Sequence, residues 1–173
     1  MIGICPQHNI LFEQLSPVEH LEIFCDFKGV RDNREETIEK ILKDVGLYQH
    51  KDNLAKNLSG GNKRKLCVAL ALVADSKIVF LDEPTSGMDL SARRRLWNML
   101  GEYKKDRIVI LTTHNMEEAD ILGDRIGIMK DGSLHCFGSS QFLKEQLGKK
   151  FHLRLKINRD LSSLQQDNIM TLI

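Results

Sequence analysis

Two short apolar runs rich in β-branched residues constrain the fold of this chain more than any other feature. Residues 78–81 read Ile-Val-Phe-Leu and residues 108–111 read Ile-Val-Ile-Leu, without polar alternation. Such runs are typical of strands in a parallel sheet that helices cover on both faces. The segment between them carries Leu96, Trp97 and Leu100 at helical spacing. Strand, helix and strand predict a right-handed βαβ crossover, and the predicted fold class is α/β.

Helix signals dominate the part of the chain that precedes the first run. Residues 16–19 read Ser-Pro-Val-Glu, which combines a capping hydroxyl, a proline at the first helical position and a carboxylate that reaches back. Residues 38–45 and 66–73 each repeat apolar side chains at helical spacing. We therefore predict three helices and a mainly helical segment over residues 8–75.

The later part of the chain predicts a hairpin. Residues 125–137 are two β-rich stretches about an Asp-Gly turn, a strong hairpin signal. A helix capped by serine is predicted over residues 139–147, and residues 151–157 alternate as in a half-buried strand. We expect residues 1–150 to form one domain and residues 151–173 to begin a different region.

Composition excludes several classes of function. Lys plus Arg is 25 and Asp plus Glu is 24, so the net charge of +1 creates no field that attracts nucleic acid, and no nucleic-acid partner is predicted. The four cysteines lie far apart without a CxxC pair, which fits a reducing compartment. The longest apolar run, residues 66–74, is shorter than the roughly 20 residues that a spanning helix needs.

Two carboxylates follow the first apolar strand at its carboxyl end, where open α/β sheets bind ligands. Asp82 can hold Mg²⁺ and Glu83 can polarise an attacking water. The alternative is a solvated acidic turn. A second candidate is Ser59, Gly60 and Gly61 at the start of a predicted helix, where free N–H groups can bind an anion. Its alternative is a flexible turn.

Six residues occur in the order and approximate spacing of the nucleotide-binding domain of ABC transporters: Gln7, Ser59, Asp82, Glu83, Asp89 and His114. Residues 58–61 resemble the signature motif, residues 78–82 the Walker B strand, and residues 86–89 the D-loop. Residues 3–9, 63–66 and 114–120 are similar to subfamily A, the lipid exporters. The resemblance implies a partial P-loop NTPase-like cassette with a helical subdomain, half of the parallel-sheet core and a C-terminal β-hairpin.

The resemblance also implies roles for these residues. Gln7 and Asp82 would hold Mg²⁺, and Glu83 and His114 would be catalytic, with His114 on the γ-phosphate of ATP. Residues 59–61 and Asp89 would bind nucleotide. Two cassettes would close head to tail, with ATP between the signature motif of one and the phosphate loop of the other. Attached transmembrane domains would place the cassette at the cytosolic face of a membrane; expressed alone, it would be soluble in the cytoplasm.

One departure from the family pattern limits this expectation. No Gly-x-x-x-x-Gly-Lys-[Ser/Thr] sequence occurs, and residue 1 lies just before the Q-loop glutamine. The Walker A loop that grips the triphosphate is therefore missing. We expect a fragment that is marginally stable and hydrolyses no ATP alone.

Three functions stay open at this point. The leading one is the ATP-hydrolysing cassette of a lipid-type transporter. The second is a soluble ABC ATPase of translation or DNA repair, which the short spacing between Gln7 and Ser59 disfavours. The third is an interaction module that lends its signature motif to another cassette. ATP binding by the isolated chain would count against the third.

Overall fold

Three parallel strands form the sheet on which the fold is built. They are β1 (Ile2–Cys5), β2 (Ile78–Asp82) and β3 (Ile108–Thr112), in the spatial order β1–β2–β3. The strands pair in register, so that all three end at the same edge of the sheet. The structure is a computed structural model that describes residues 1–147.

The two apolar runs are confirmed as the strands β2 and β3, and the α/β fold class is confirmed with them. The two strands are parallel neighbours and are joined through a helix, as predicted for a βαβ unit. The sequence did not predict β1. This strand is only four residues long and contains Gly3, a residue that weakens strands taken in isolation.

Six α-helices lie within residues 1–147: α1 (Pro17–Phe27), α2 (Arg34–Asp44), α3 (Gly60–Leu72), α4 (Leu90–Tyr103), α5 (Met116–Leu122) and α6 (Ser140–Leu147). The three helices predicted before β2 are confirmed. The predicted cap of α1 is present, because Ser16 Oγ accepts from the Glu19 N–H at 3.3 Å and Glu19 Oε2 accepts from the Ser16 N–H at 2.7 Å. None of these six helices has the length and apolar character needed to cross a membrane.

The chain divides into two compact units, residues 1–124 and the residues from 125 onward. In the second unit, β4 (Ile126–Lys130) and β5 (Ser133–Gly138) pair antiparallel, which confirms the predicted hairpin. The helix α6 follows, capped by Ser139 Oγ. The strand predicted over residues 151–157 lies outside the described residues, and the predicted boundary at residue 150 stays a prediction.

The core of the first unit lies between the helices and one face of the sheet. The helix α3 packs on β1 and β2 and is buried along residues 66–72, opposite the fully buried Val79 and Leu81 of β2. The other face carries five exposed apolar side chains: Ile2, Ile4, Phe80, Ile108 and Ile110. Within residues 1–124 the helices cover only one face of the sheet, so the expectation that helices cover both faces is wrong for this unit.

Lys28 fastens the end of α1 to the end of α3. Its Nζ donates to the carbonyls of Leu70, Ala71 and Val73 at 3.1, 3.3 and 3.0 Å, and to Ser76 Oγ at 2.9 Å. The last carbonyls of a helix have no partner within the helix. One ammonium therefore satisfies acceptors that the fold would otherwise leave unpaired.

Replacing Lys28 with methionine should lower the free energy of unfolding by about 2 kcal/mol, because the alkyl chain is kept while the carbonyls lose a charged donor. Urea unfolding followed by circular dichroism measures the change. Lys40→Met on α2 is the matched control, since Lys40 is exposed. An equal loss in both variants would show that the contacts of Lys28 add no stability.

The difference in stability between wild type and Lys28→Met should also depend on pH. Burial lowers the pKa of Lys28 from 10.5 to about 8. Between these two values the unfolded chain binds more protons at this position than the folded chain, so the contribution of Lys28 to stability rises with pH. The difference in unfolding free energy between wild type and Lys28→Met should therefore grow from pH 8 to pH 10.5. If the difference in unfolding free energy did not change with pH, the lowered pKa of Lys28 in the folded chain would be wrong.

Candidate functional site

A chain of contacts joins the carboxyl ends of β2 and β3. Thr112 Oγ1 donates to Asp82 Oδ1, and the N–H of Glu83 donates to the Thr112 carbonyl at 3.0 Å. Glu83 Oε1 lies 3.0 Å from His114 Nδ1. Two carboxylates, a hydroxyl and an imidazole are thus held together at one edge of the sheet.

The backbone at Glu83 is unusual. Its φ of +48° lies in the left-handed region, which residues other than glycine rarely adopt. The turn is fixed on both sides, because the N–H of Glu83 bonds to Thr112 and its carbonyl accepts from the Ser86 N–H at 3.0 Å. Such backbone outliers cluster at functional sites. Here the turn directs the Glu83 carboxylate to His114.

The pair of Glu83 and His114 is open to a ligand. The side chain of His114 is 79% exposed and that of Glu83 is 24% exposed. The imidazole can therefore contact both solvent and the carboxylate. A water molecule can reach either carboxylate oxygen of Glu83. A carboxylate in this position can accept a proton from water.

Gln7 lies two residues beyond the end of β1 and is exposed. Its carbonyl accepts from Arg64 Nη1 at 3.1 Å, and the other terminal nitrogen of Arg64 donates to the carbonyl of Asp82. Gln7 is thus connected to the carboxylate turn through one guanidinium. Gln7 and Asp82 were predicted to lie close together. In this structure they are connected through their main-chain carbonyls, which both bind Arg64.

The predicted anion site lies at the start of α3. Ser59 is the N-cap, and its Oγ accepts from the Asn62 N–H at 3.3 Å. A Cβ built on Gly60 or Gly61 would meet no atom within 4 Å, so this surface is open to a close approach. The hydrogen bonds of Ser59 are all local to α3. The series of contacts that joins Asp82, Glu83 and His114 therefore forms without Ser59.

Asp89 caps a different helix. It is the N-cap of α4, and its carboxylate accepts from Ser91 Oγ at 2.6 Å and from the Ala92 N–H at 2.9 Å. These hydrogen bonds lower the pKa of Asp89 to about 2. The carboxylate is therefore charged at neutral pH and engaged at a helix start.

Sequence reasoning placed two residues of this edge within family-like stretches but gave neither of them a role. Thr112 links the ends of β2 and β3, and a hydroxyl at the carboxyl end of an apolar strand is a signal that could have identified it. Arg64 links the turns after β1 and β2. It stands between Lys63 and Lys65, which gave no signal that the central side chain is buried.

The donor set fits a hard divalent cation. Asp82 is exposed and presents a carboxylate, the ligand that Mg²⁺ prefers. Within residues 1–147 no group of three or more His, Cys, Asp or Glu could hold a metal alone. Mg²⁺ commonly keeps several waters and uses one or two carboxylates together with phosphate oxygens, so Asp82 is a residue that could hold it.

The fold and the site define a class of protein: an α/β chain with acidic and imidazole groups at the carboxyl edge of a parallel sheet. The family model described as "ABC transporter" matches residues 1–86. The rat phospholipid-transporting ATPase ABCA3 (Rattus norvegicus) is 48% identical over 155 residues, 89% of this chain and 9% of the relative. The Arabidopsis thaliana ABC transporter A family member 9 is 53% identical over 152 residues, 87% of this chain and 16% of the relative. The chain belongs to the ABC transporter family, among relatives of subfamily A.

Solved structures agree with this fold. The ATP-binding subunit of an ABC transporter superposes with a TM-score of 0.75 at 23% identity, over 98% of this chain and 68% of that one. A dimeric ATP-binding cassette in a post-hydrolysis state, bound to ADP and Pi, gives a TM-score of 0.73 at 25% identity, over 80% of this chain and 62% of that one. The chain spans 9% and 16% of the length of the two curated relatives above.

Proposed function

We propose that this chain is part of an ATP-hydrolysing cassette that powers a phospholipid transporter. The observation that carries the proposal is the contact chain from Asp82 through Thr112 and Glu83 to His114 at the ends of β2 and β3. Relatives named phospholipid-transporting ATPases support the lipid substrate. They also favour a transporter over a soluble ATPase of translation or repair.

In this proposal the residues of the edge divide the work of phosphoryl transfer. Asp82 and Gln7 hold Mg²⁺, which when bound supplies positive charge against the phosphate oxygens. Glu83 accepts a proton from the water that attacks the γ-phosphorus while the bond from that phosphorus to ADP breaks, and His114 contacts the γ-phosphate of ATP. The hydrogen bond between Glu83 and His114 fixes the orientation of both side chains before ATP binds. Catalysis is then positioning and charge neutralisation, as phosphoryl transfer requires.

The proposed partner is a second cassette that closes head to tail on this one. The open surface at Gly60 and Gly61 and the N-terminus of α3 support this, because such a helix start binds phosphate when a ligand approaches closely. The negatively charged Asp89 is the N-cap of α4, the next α-helix in the chain. We assign it to the contact with the same nucleotide. Transmembrane domains at the cytosolic face of a membrane are the further proposed partners.

A second candidate function is an interaction module that lends Ser59, Gly60 and Gly61 to another cassette. The observation that favours it is the open helix start itself, where a Cβ on Gly60 or Gly61 would meet no atom within 4 Å and the hydrogen bonds of Ser59 do not involve Glu83 or His114. Both candidates require the surface at the start of α3. They differ in whether Glu83 acts on ATP.

A binding experiment tests the shared requirement. The 173-residue chain, mixed with a complete cassette that carries a phosphate loop, should associate in the presence of Mg-ATP and not without nucleotide. Gly60→Asp should abolish the association, because it places a carboxylate where the triphosphate would lie. Lys40→Asp is the control, because it also places a carboxylate at an exposed position. This substitution should leave the association unchanged. Analytical ultracentrifugation reports the complex.

The outcomes separate the candidates. Association that Gly60→Asp leaves intact would contradict both. Association without any contribution of Glu83 to turnover in the complex would favour the interaction module. ATP turnover by the chain alone, abolished by Glu83→Gln, would refute the expectation that it hydrolyses no ATP alone.

A further inference from the structure

Arg64 is the largest fully buried side chain of residues 1–147, although it belongs to the charged triplet of residues 63–65. Only 2% of its surface is exposed. Arginine is almost never buried without partners, because removing its charge from water is costly. The partners of this guanidinium therefore indicate why the fold keeps it.

One set of partners lies in the turn that follows β1. Arg64 Nη1 donates to the Pro6 carbonyl at 2.5 Å and to the Gln7 carbonyl at 3.1 Å. The same nitrogen lies 3.4 Å from Asn9 Oδ1. The turn that carries Gln7 is thus held at three points by one nitrogen.

The other set lies in the turn that follows β2. Arg64 Nη2 donates to the Asp82 carbonyl, and Nε donates to the Pro84 carbonyl at 3.3 Å. These two carbonyls flank Glu83, the residue with the left-handed backbone. The guanidinium therefore spans the space between the turn of Gln7 and the turn of Glu83.

The geometry is one that arginine alone among side chains provides. A guanidinium is planar and presents its donors in a rigid fork, whereas a lysine ammonium is a compact point charge. All five acceptors here are neutral oxygens, so no ion pair with them offsets the burial of the charge. A residue retained for packing alone would be served as well by an apolar side chain.

We propose that Arg64 is a positioning residue that fixes the Gln7 turn and the Asp82–Glu83 turn relative to each other. It acts through backbone carbonyls and touches neither metal nor nucleotide. Its catalytic meaning rests on the proposed function, because both turns carry groups assigned to Mg²⁺ and water. Its structural part, the joint ordering of two turns, does not depend on ATP.

Hydrogen exchange in the 173-residue chain tests the structural part without nucleotide. In Arg64→Gln, amides in residues 7–12 and 83–88 should exchange about tenfold faster, because each turn loses donors that order it. Amides of α1 and α2 should keep their wild-type rates. Lys63→Gln removes the same charge one residue earlier, where the side chain is partly exposed, and should change neither turn.

A second variant covers the case in which Arg64→Gln does not fold. Arg64→Lys keeps the charge but cannot reach both turns, so exchange should accelerate in at least one of them. Wild-type exchange in both turns of a folded variant would overturn the proposal. Equal acceleration throughout α1, α2 and the turns would overturn it as well, since that pattern is general destabilisation.

Kinetics in a transporter that carries this cassette test the catalytic part. Arg64→Lys should lower kcat by about 10- to 100-fold through misplacement of the water-positioning groups, with little change in KM for ATP. A rise in KM with unchanged kcat would contradict a positioning role. If the wild-type transporter has no ATPase activity, the proposed function fails while the exchange result still decides the role of Arg64.

Discussion

Glu83→Gln is expected to lower the ATP turnover of a transporter carrying this cassette by about 10²- to 10⁴-fold, the usual contribution of a general base. The substitution keeps the size of the side chain and an oxygen that can remain near His114 Nδ1, now 3.0 Å from the carboxylate. It removes the ability to accept a proton. Chemistry should therefore fail while nucleotide binding persists.

Two measurements make this prediction specific. Phosphate release measures turnover, and binding of a fluorescent ATP analogue measures affinity, which should change less than turnover. Glu117→Gln is the matched control, because Glu117 is exposed in the first turn of α5 and makes no assigned contact with ATP. Comparable turnover in wild type and Glu83→Gln would remove Glu83 from the mechanism. Equal losses of turnover and of binding would reassign it to nucleotide affinity.

The parts of the fold that could be predicted from the sequence are those set by local chemistry. The runs at residues 78–81 and 108–111 are β-branched and uninterrupted, so strand formation follows from side-chain type. Ser16 and Glu19 cap α1 through contacts three residues apart, which a sequence displays directly. The Asp-Gly turn of the hairpin is equally local.

The parts that could not be predicted depend on partners far along the chain. β1 is a strand because it pairs with β2, more than seventy residues later, and a four-residue run interrupted by Gly3 is too short to predict a strand by itself. Arg64 is buried because five oxygens in two distant turns converge on it. Neither set of contacts leaves a pattern in the adjacent sequence.

The candidate site divides in the same way. Asp82, Glu83 and His114 could be proposed because each follows an apolar run, and strand ends meet at one edge of a parallel sheet. The hydrogen bond between Glu83 and His114 needed the structure, since it depends on the left-handed turn at Glu83. Residue type therefore indicated the edge, and backbone geometry determined which groups touch there.

The contact between β1 and α3 leads to the second large effect, the substitution Gly3→Ala. A Cβ at Gly3 would lie 1.9 Å from the carbonyl oxygen of Ala71 and 2.8 Å from its carbonyl carbon. Both are backbone atoms of α3, so no side-chain rotation relieves the clash. The strand and the helix must separate, which should cost about 3 kcal/mol of stability.

Gly101→Ala is the matched comparison and should have the opposite sign. Gly101 lies inside α4, and a Cβ there would meet no atom within 4 Å. Alanine should therefore stabilise the chain by about 0.5–1 kcal/mol, because it favours the helix over the unfolded state. Urea unfolding of both variants measures the two effects. If Gly3→Ala were as stable as wild type, the close packing of β1 on α3, on which the position of the Gln7 turn depends, would be wrong.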